Sequence, residues 1–257
     1  MAVFAIGDIH GQFNALKSLI DKIDLKPDDY IIFLGDYVDR GPDWFDVIKY
    51  IMSLSYNNIC KVSALWGNHD IMMHDSIMLF KDSIICPNIS VQEKREIWFY
   101  NGGRKTYNKF ISLSPDDKIL VSDFFKSLKT DISVTVNNQE YVLCHSLPED
   151  TGISLWDSVW ARLFWNDNGS VYCESDINEK ILFEKYKNKT IIHGHTPVFN
   201  YIDFDSNESN ETVKAFAYKI KNVQFIDIDL GAGSIGRFSG ANLCVLRLDD
   251  MKEFYAI

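Results

Sequence analysis

An α/β fold is predicted by three features of the first eighty residues. The short apolar runs 3–6, 30–34 and 62–65 have the length and β-branched content of buried strands. Each ends in a glycine-flanked polar cluster: Gly7-Asp8-Ile9-His10-Gly11, Gly35-Asp36-Tyr37-Val38-Asp39-Arg40-Gly41 and Gly67-Asn68-His69-Asp70. An amphipathic stretch follows each cluster. Asp8, Asp36 and Asn68 stand 28 and 32 residues apart, close to the ~30 residues of one βαβ unit. Parallel strands joined in this way set their carboxyl ends side by side, where open α/β sheets bind ligands.

The elements follow in chain order. Helices are predicted over 13–23, 44–54 and 71–80; in the first, Leu16, Leu19, Ile20 and Ile23 fall on one face. Residues 81–130 lose the strand–turn–helix rhythm. They carry a Gly102-Gly103 break and a helix start at Ser114-Pro115-Asp116-Asp117, and are read as a helical, cap-like insertion. Strands resume over 132–136 and 141–144 around an Asn137-Asn138 hairpin turn. A short strand over 190–192 runs into His193-Gly194-His195-Thr196-Pro197, and the polar stretch 205–212 reads as a loop. The runs 223–228, 243–248 and 254–257 are predicted to form a second, mostly antiparallel set of strands. With neither a repeat nor a linker in view, residues 1–257 are expected to form a single domain with two sheets.

Composition narrows the function classes. Hydrophobic content of 46% and charged content of 24% are those of a soluble globular protein. A net charge of −10 argues against general nucleic-acid or membrane-surface binding, which needs a basic footprint. No apolar stretch approaches the ~18 residues of a membrane span, and no basic segment precedes the first apolar run, so no signal peptide is expected. Five cysteines, an odd number without a CxxC pair, are expected as small core residues in a reducing cytoplasm.

The polar clusters carry the chemistry. His145 and His195 sit just after predicted strands, as Asp8, Asp36 and Asn68 do. Carboxylate, imidazole and amide donors on short loops suit divalent ions such as manganese, iron or zinc. Two such ions roughly 3.5–4 Å apart can hold a hydroxide and clamp the oxygens of an in-line displacement at phosphorus. One aspartate shared between them keeps them that close, and Asp36, central among the motifs, is the natural bridge. Arg40 can fork onto a phosphoryl group. His69, beside Asn68, can protonate a leaving group, with Asp39 orienting its ring. Arg162, in Trp156-Asp157-Ser158-Val159-Trp160-Ala161-Arg162, is a candidate second phosphate clamp. Taken singly, each residue has an ordinary explanation. An aspartate can cap a helix, a histidine can rest in a hydrogen bond, and Arg162 can stack on Trp160 or Trp165. Three motifs at βα spacing plus two strand-end histidines outweigh those readings. His74 is read as a surface helix residue. His193 is either a partner to the site or a side chain turned into the sheet.

These motifs, with Cys144-His145 and Gly194-His195-Thr196, resemble the phosphoprotein phosphatase branch of the calcineurin-like metallophosphoesterases. The likeness is greatest to the compact bacterial and bacteriophage (lambda-type) serine/threonine phosphatases. It extends to Asn101-Gly102-Gly103, to Trp160-Ala161-Arg162 and to Asp227-Ile228-Asp229-Leu230-Gly231-Ala232. The resemblance implies a central β-sandwich of mixed sheets flanked by helices. It also implies two divalent ions, manganese foremost with iron or zinc as options. The first would be held by Asp8, His10 and Asp36, and the second by Asp36, Asn68, His145 and His195. His69 would be the general acid, supported by Asp39, with Arg40 and Arg162 on the phosphate. The implied reaction is hydrolysis of phosphoserine or phosphothreonine in a protein or peptide. Three positions depart from the pattern: Trp66 replaces an arginine that usually contacts phosphate, Asp70 replaces a glutamate, and Leu230 replaces a threonine. GNHD without that arginine resembles the symmetrical diadenosine tetraphosphate hydrolases, so a dinucleoside polyphosphate is the alternative substrate. On that alternative Trp66 stacks on a base; otherwise it is core packing.

Overall fold

The computed structural model describes residues 1–77, 84–85, 89–149, 153–165, 171–173, 179–200 and 213–257. The first sheet contains β1 (Val3–Ile6), β2 (Tyr30–Phe33) and β3 (Lys61–Ala64), parallel and adjacent. They are joined through α1 (Phe13–Ile23) and α2 (Trp44–Tyr56), and β3 leads into α3 (Asn68–Ser76). The end of the helix predicted over 71–80 lies outside the described residues, as does the loop predicted over 205–212. Three further helices follow: α4 (Val91–Tyr100), α5 (Arg104–Ile111) and α6 (Pro115–Ser127). The Gly102-Gly103 break separates α4 from α5. Ser114 caps α6, its Oγ accepting the Asp117 N–H at 3.2 Å.

The second sheet begins with the hairpin β4 (Asp131–Val136) and β5 (Gln139–Cys144). Asn137 and Asn138 turn it with φ of +49° and +63°, the left-handed pair a two-residue hairpin requires. After α7 (Leu155–Trp160) and a short pair, β6 (Leu163–Trp165) and β7 (Val171–Cys173), come α8 (Glu179–Lys185) and β8 (Thr190–His193). Then follow β9 (Phe216–Ile220), β10 (Val223–Asp227), β11 (Cys244–Arg247) and β12 (Lys252–Tyr255). The second sheet has the order β4-β5-β8-β10-β9, with β5, β8 and β10 parallel.

One prediction is corrected here. The strands near 243–248 and 254–257 belong to the first sheet, whose order is β12-β11-β1-β2-β3, and not to the second. The side of β1 away from β2 needs a ladder partner, and β11 pairs with it antiparallel, Ala5 opposite Leu246. Local pattern identifies a strand but carries no information about which sheet edge it closes.

Period-two alternation builds the layers. Val3, Ala5, Ile32 and Leu34 face Tyr141, Leu143, Ile192 and Ile226 across the sandwich. Phe4, Ile6, Ile31 and Phe33 point the other way, onto Leu16, Leu19, Val47 and Ile48 of the helices. Trp98, Phe110 and Phe124 of the inserted helices join that same outer cluster. Val142, Ile191 and Phe225 cover the far face of the second sheet under Leu182 and Phe183 of α8. Each large apolar side chain buried in these layers contributes roughly 1.5–3 kcal/mol. Cys60, Cys144 and Cys244 are buried free thiols; Cys86 and the Cys173 side chain lie outside the described residues. No described helix is long and apolar enough to cross a membrane.

Candidate active site

The carboxyl ends of parallel strands from both sheets meet at one edge of the sandwich. Asp8, Asp36 and Asn68 follow β1, β2 and β3, while His145 and His195 follow β5 and β8. All ten residues singled out in the sequence gather at or beneath one cleft of about 290 Å³. Arg40, Arg162, His69, Asn68, Asp36 and His195 line it, and Asp8, His10, His145 and Asp39 lie buried below. Five of the ten, His10, Asp36, Asp39, Arg40 and His195, have φ between +49° and +73°. Non-glycine residues rarely adopt that region, and strain of this kind concentrates at functional sites. Only glycine fits at 67, because a Cβ there would collide with the Asp36 carboxylate.

Asp36 stands between two groups of donors. Its Oδ2 lies 3.3 Å from His10 Nε2, which is 3.9 Å from Asp8 Oδ2. Its Oδ1 lies 3.6 Å from His145 Nε2. Asn68 Oδ1 is 3.0 Å from that same nitrogen and 3.1 Å from His195 Nδ1. The ring orientations are fixed from behind: His10 Nδ1 donates to Val38 O at 3.0 Å and His145 Nδ1 to Leu34 O at 2.9 Å. Nε2 of each ring is thereby left to face the site, as in metal-ligating histidines.

The electrostatics fit divalent cations. Burial pulls the His10, His145 and His195 pKa values down, which favours the neutral rings that a metal ion would need. Burial pushes the Asp8 carboxyl up, and Asp229 and Asp36 add to the shift. At Asp36 burial acts in the same direction, but positive charge on His145, His69 and His10 when they are protonated, together with Arg40, outweighs it and holds the carboxyl low. With its Nδ1 proton committed, His145 Nε2 meets the Asn68 carbonyl oxygen lone pair to lone pair. That contact is poor by itself and favourable around a shared cation. Asp8 Oδ2 and His195 Nε2 are also buried without a hydrogen-bond partner among the described residues. Two clusters, Asp8–Asp36–His145 and His10–Asp36–His69, each bring three ligand atoms within 4.8 Å of one another. The donor set fits hard to borderline divalent ions.

His69 Nδ1 donates to Asp39 Oδ2 at 2.7 Å, and its Nε2 accepts from Arg40 Nη2 at 3.1 Å. Arg40 Nη1 reaches His10 Nε2 at 2.9 Å. Arg162, half-buried, lies in the cleft beside Trp160 and His195. Ser146 Oγ bonds the Ala161 carbonyl, tying the His145 loop to the segment that carries Arg162.

The sequence reading missed several neighbours. Asp229, just past β10, raises the Asp8 pKa and is itself pushed up to about 7 by burial; the strand-end rule that found His145 would have found it. Asp70 accepts the N–H groups of Asp36, Tyr37 and Gly67 at 2.7, 3.0 and 3.1 Å, and so joins two of the motif loops. Phe199 and Ser234 line the cleft without any advance signal of position, and Asn101, from a segment included in the family resemblance, lines it too. One reading is corrected, and at Trp66 core packing prevails over its alternative. His74 is buried, bonded to Asp75 and packed on Trp66, not a surface residue. Trp66 is 8% exposed, stacks on Phe125 at 5.6 Å and does not line the cleft, so the base-stacking reading fails. His193 turns into the second sheet, where its Nε2 lies 2.8 Å from the Tyr218 hydroxyl.

The fold and the buried cluster of metal-type donors are those of a metallophosphoesterase. The chain belongs to the calcineurin-like phosphoesterase family, whose model it matches over residues 1–223. It is 35% identical over 83 residues to a Caenorhabditis elegans protein named "Putative serine/threonine-protein phosphatase", covering 32% of this chain and 18% of that protein. It is 36% identical over 93 residues to the symmetrical bis(5'-nucleosyl)-tetraphosphatase of Buchnera aphidicola, covering 35% of this chain and 32% of that enzyme. The aligned part thus spans about a third or less of either relative. A protein serine/threonine phosphatase structure from Saccharomyces cerevisiae superposes with a TM-score of 0.52 at 16% identity, over 99% of this chain and 78% of that one. That likeness concerns the fold.

Proposed function

We propose that this chain is a phosphomonoesterase that uses two divalent metal ions, manganese foremost, on phosphoserine or phosphothreonine in proteins or peptides. The observation that carries the reading is the pair of arginines, Arg40 and Arg162, lining the same cleft as His69 and the donor residues Asp36, Asn68 and His195. Asp8, His10 and Asp36 would hold one ion and Asp36, Asn68, His145 and His195 the other. When bound, such ions lower the pKa of water and polarise phosphoryl oxygens. Arg40 and Arg162 bind and orient the phosphoryl group in the plane of its oxygens. In its doubly protonated form His69 delivers the Nε2 proton to the leaving oxygen, and Asp39, accepting Nδ1–H, fixes the ring and favours that charged form.

A second reading, hydrolysis of dinucleoside polyphosphates, is favoured by the Buchnera relative and by Asp70 in place of glutamate. The two separate on manganese-loaded protein by comparing kcat/KM for a phosphothreonine peptide and diadenosine tetraphosphate. Preference for the peptide is expected. Preference for the dinucleotide, with two ADP formed, would replace the first reading with the second.

A further inference from the structure

We propose that Trp98 is a positioning residue for the His69–Asp39 pair, an inference that rests on the general-acid reading of His69. The Trp98 indole Nε1–H donates to Asp39 Oδ2 at 2.7 Å. The same oxygen accepts His69 Nδ1–H, also at 2.7 Å. Trp98 and Asp39 are 0% exposed and His69 1%, so no bulk water competes for that oxygen. Asp39 Oδ1 has no hydrogen-bond partner among the described residues. Two donors on one oxygen are therefore what fixes the carboxylate.

Trp98 lies on α4, in the helical insertion, 59 residues from the aspartate it holds. Its ring is locked in place. Tyr107 meets it edge-on at 6.2 Å and Phe99 lies tilted at 6.0 Å. Gly103 lies against the indole nitrogen, where a Cβ would collide with the ring, and its N–H donates to the Trp98 carbonyl at 3.0 Å. The break between α4 and α5 thus has a local purpose: glycine at 103 leaves room for the indole that reaches Asp39.

An indole N–H can only donate, so this contact favours one carboxylate orientation and one rotamer of Asp39. That orientation keeps the His69 Nδ1–H on Asp39 and turns Nε2 toward the cleft. In the reaction an oxygen from water forms a new bond to phosphorus as the bond from phosphorus to the leaving oxygen breaks, and the electron pair of the broken bond stays on the leaving oxygen. The proton from protonated His69 Nε2 neutralises it. Misaligning Asp39 misaims that proton, and the effect should scale with how much the leaving group needs one.

The test compares wild type, Trp98→Phe, His69→Asn and the double variant, all manganese-loaded, on a phosphothreonine peptide and on 4-nitrophenyl phosphate. Trp98→Phe should keep its metal content and lose about tenfold in kcat on the peptide, the scale of one hydrogen bond to a charged group. Its loss on the nitrophenyl ester should stay under about threefold, because nitrophenolate hardly needs protonation. In the double variant Trp98→Phe should add nothing to the loss from His69→Asn. Equal losses on both substrates, or losses that multiply in the double variant, would overturn the inference while leaving His69 its role. Equal losses on both substrates in His69→Asn alone would instead remove the general-acid reading, and this inference with it. A second measurement does not need the Trp98 variant to fold: the indole N–H resonance of Trp98 in ¹⁵N-labelled protein should shift in Asp39→Asn. An unchanged resonance would overturn the hydrogen bond itself.

Discussion

Asp36 sends its two oxygens to different neighbours, Oδ2 toward His10 and Oδ1 toward His145, and it also accepts the His69 backbone N–H at 3.0 Å. Asp36→Asn keeps the shape and removes the charge shared by both donor groups. Bound manganese should fall below two per chain, and phosphatase activity by on the order of a thousandfold or more, measured by elemental analysis and phosphate release. Trp66 makes the opposite kind of prediction. On the family pattern an arginine there would add a phosphate contact, but the ring is packed between Phe125 and His74. Trp66→Arg should therefore destabilise by about 3 kcal/mol or more, through a lost aromatic and a buried charge. Its KM for phosphomonoesters should not improve. Urea unfolding and steady-state kinetics on the same preparation check both halves. His193 supplies a pH signature. Burial pulls its pKa down from 6.5 to about 4, so the folded state binds fewer protons than the unfolded chain between those values. Its contribution is complete above pH 6.5 and is lost as pH falls toward 4. Between pH 7 and 4.5 that amounts to about 2–3 kcal/mol. In metal-free protein, His193→Gln should lose less stability over that interval than wild type does.

Among the elements, the loops after β2 and β3 are joined through Asp70. Three backbone N–H groups converge on its carboxylate, so Asp70→Asn sets an amide donor against groups that are themselves donors. A loss of several kcal/mol in stability is expected, with weaker metal binding, because Asp36 and Asn68 sit on the loops it joins. Calorimetry with and without manganese measures both effects. The elements also mark how far the sequence could be read. The apolar face of α1, the Ser114 cap and the Asn137-Asn138 turn depend on local chemistry, and their positions were legible residue by residue. So was the strand-end placement of Asp8, Asp36, Asn68, His145 and His195, because a βα turn exposes the first residues past its strand. The sheet assignment of β11 and β12 was not, since the edge that β1 leaves open is a long-range fact. Trp98 was hidden for the same reason. Its partner Asp39 lies in another motif, and nothing near Trp98 in the chain points to it.

For the whole molecule, the sandwich brings two sets of parallel strand ends to one edge. Candidate ligands from residues 8 to 195 thereby share a single buried volume. Holding that many carboxylates and neutral imidazoles out of water is costly without compensating positive charge, and their shifted pKa values register it. Ions that bind the folded state alone stabilise it by mass action, about 2.7 kcal/mol at a hundredfold excess over Kd. The most direct measurement is a titration of manganese into metal-free protein, monitoring bound metal per chain together with phosphate release from a phosphothreonine peptide. Two ions per chain, with activity that grows as the second binds and disappears with a chelator, are expected. Binding of one ion or none, or phosphate release that is indifferent to metal, would contradict the dinuclear site.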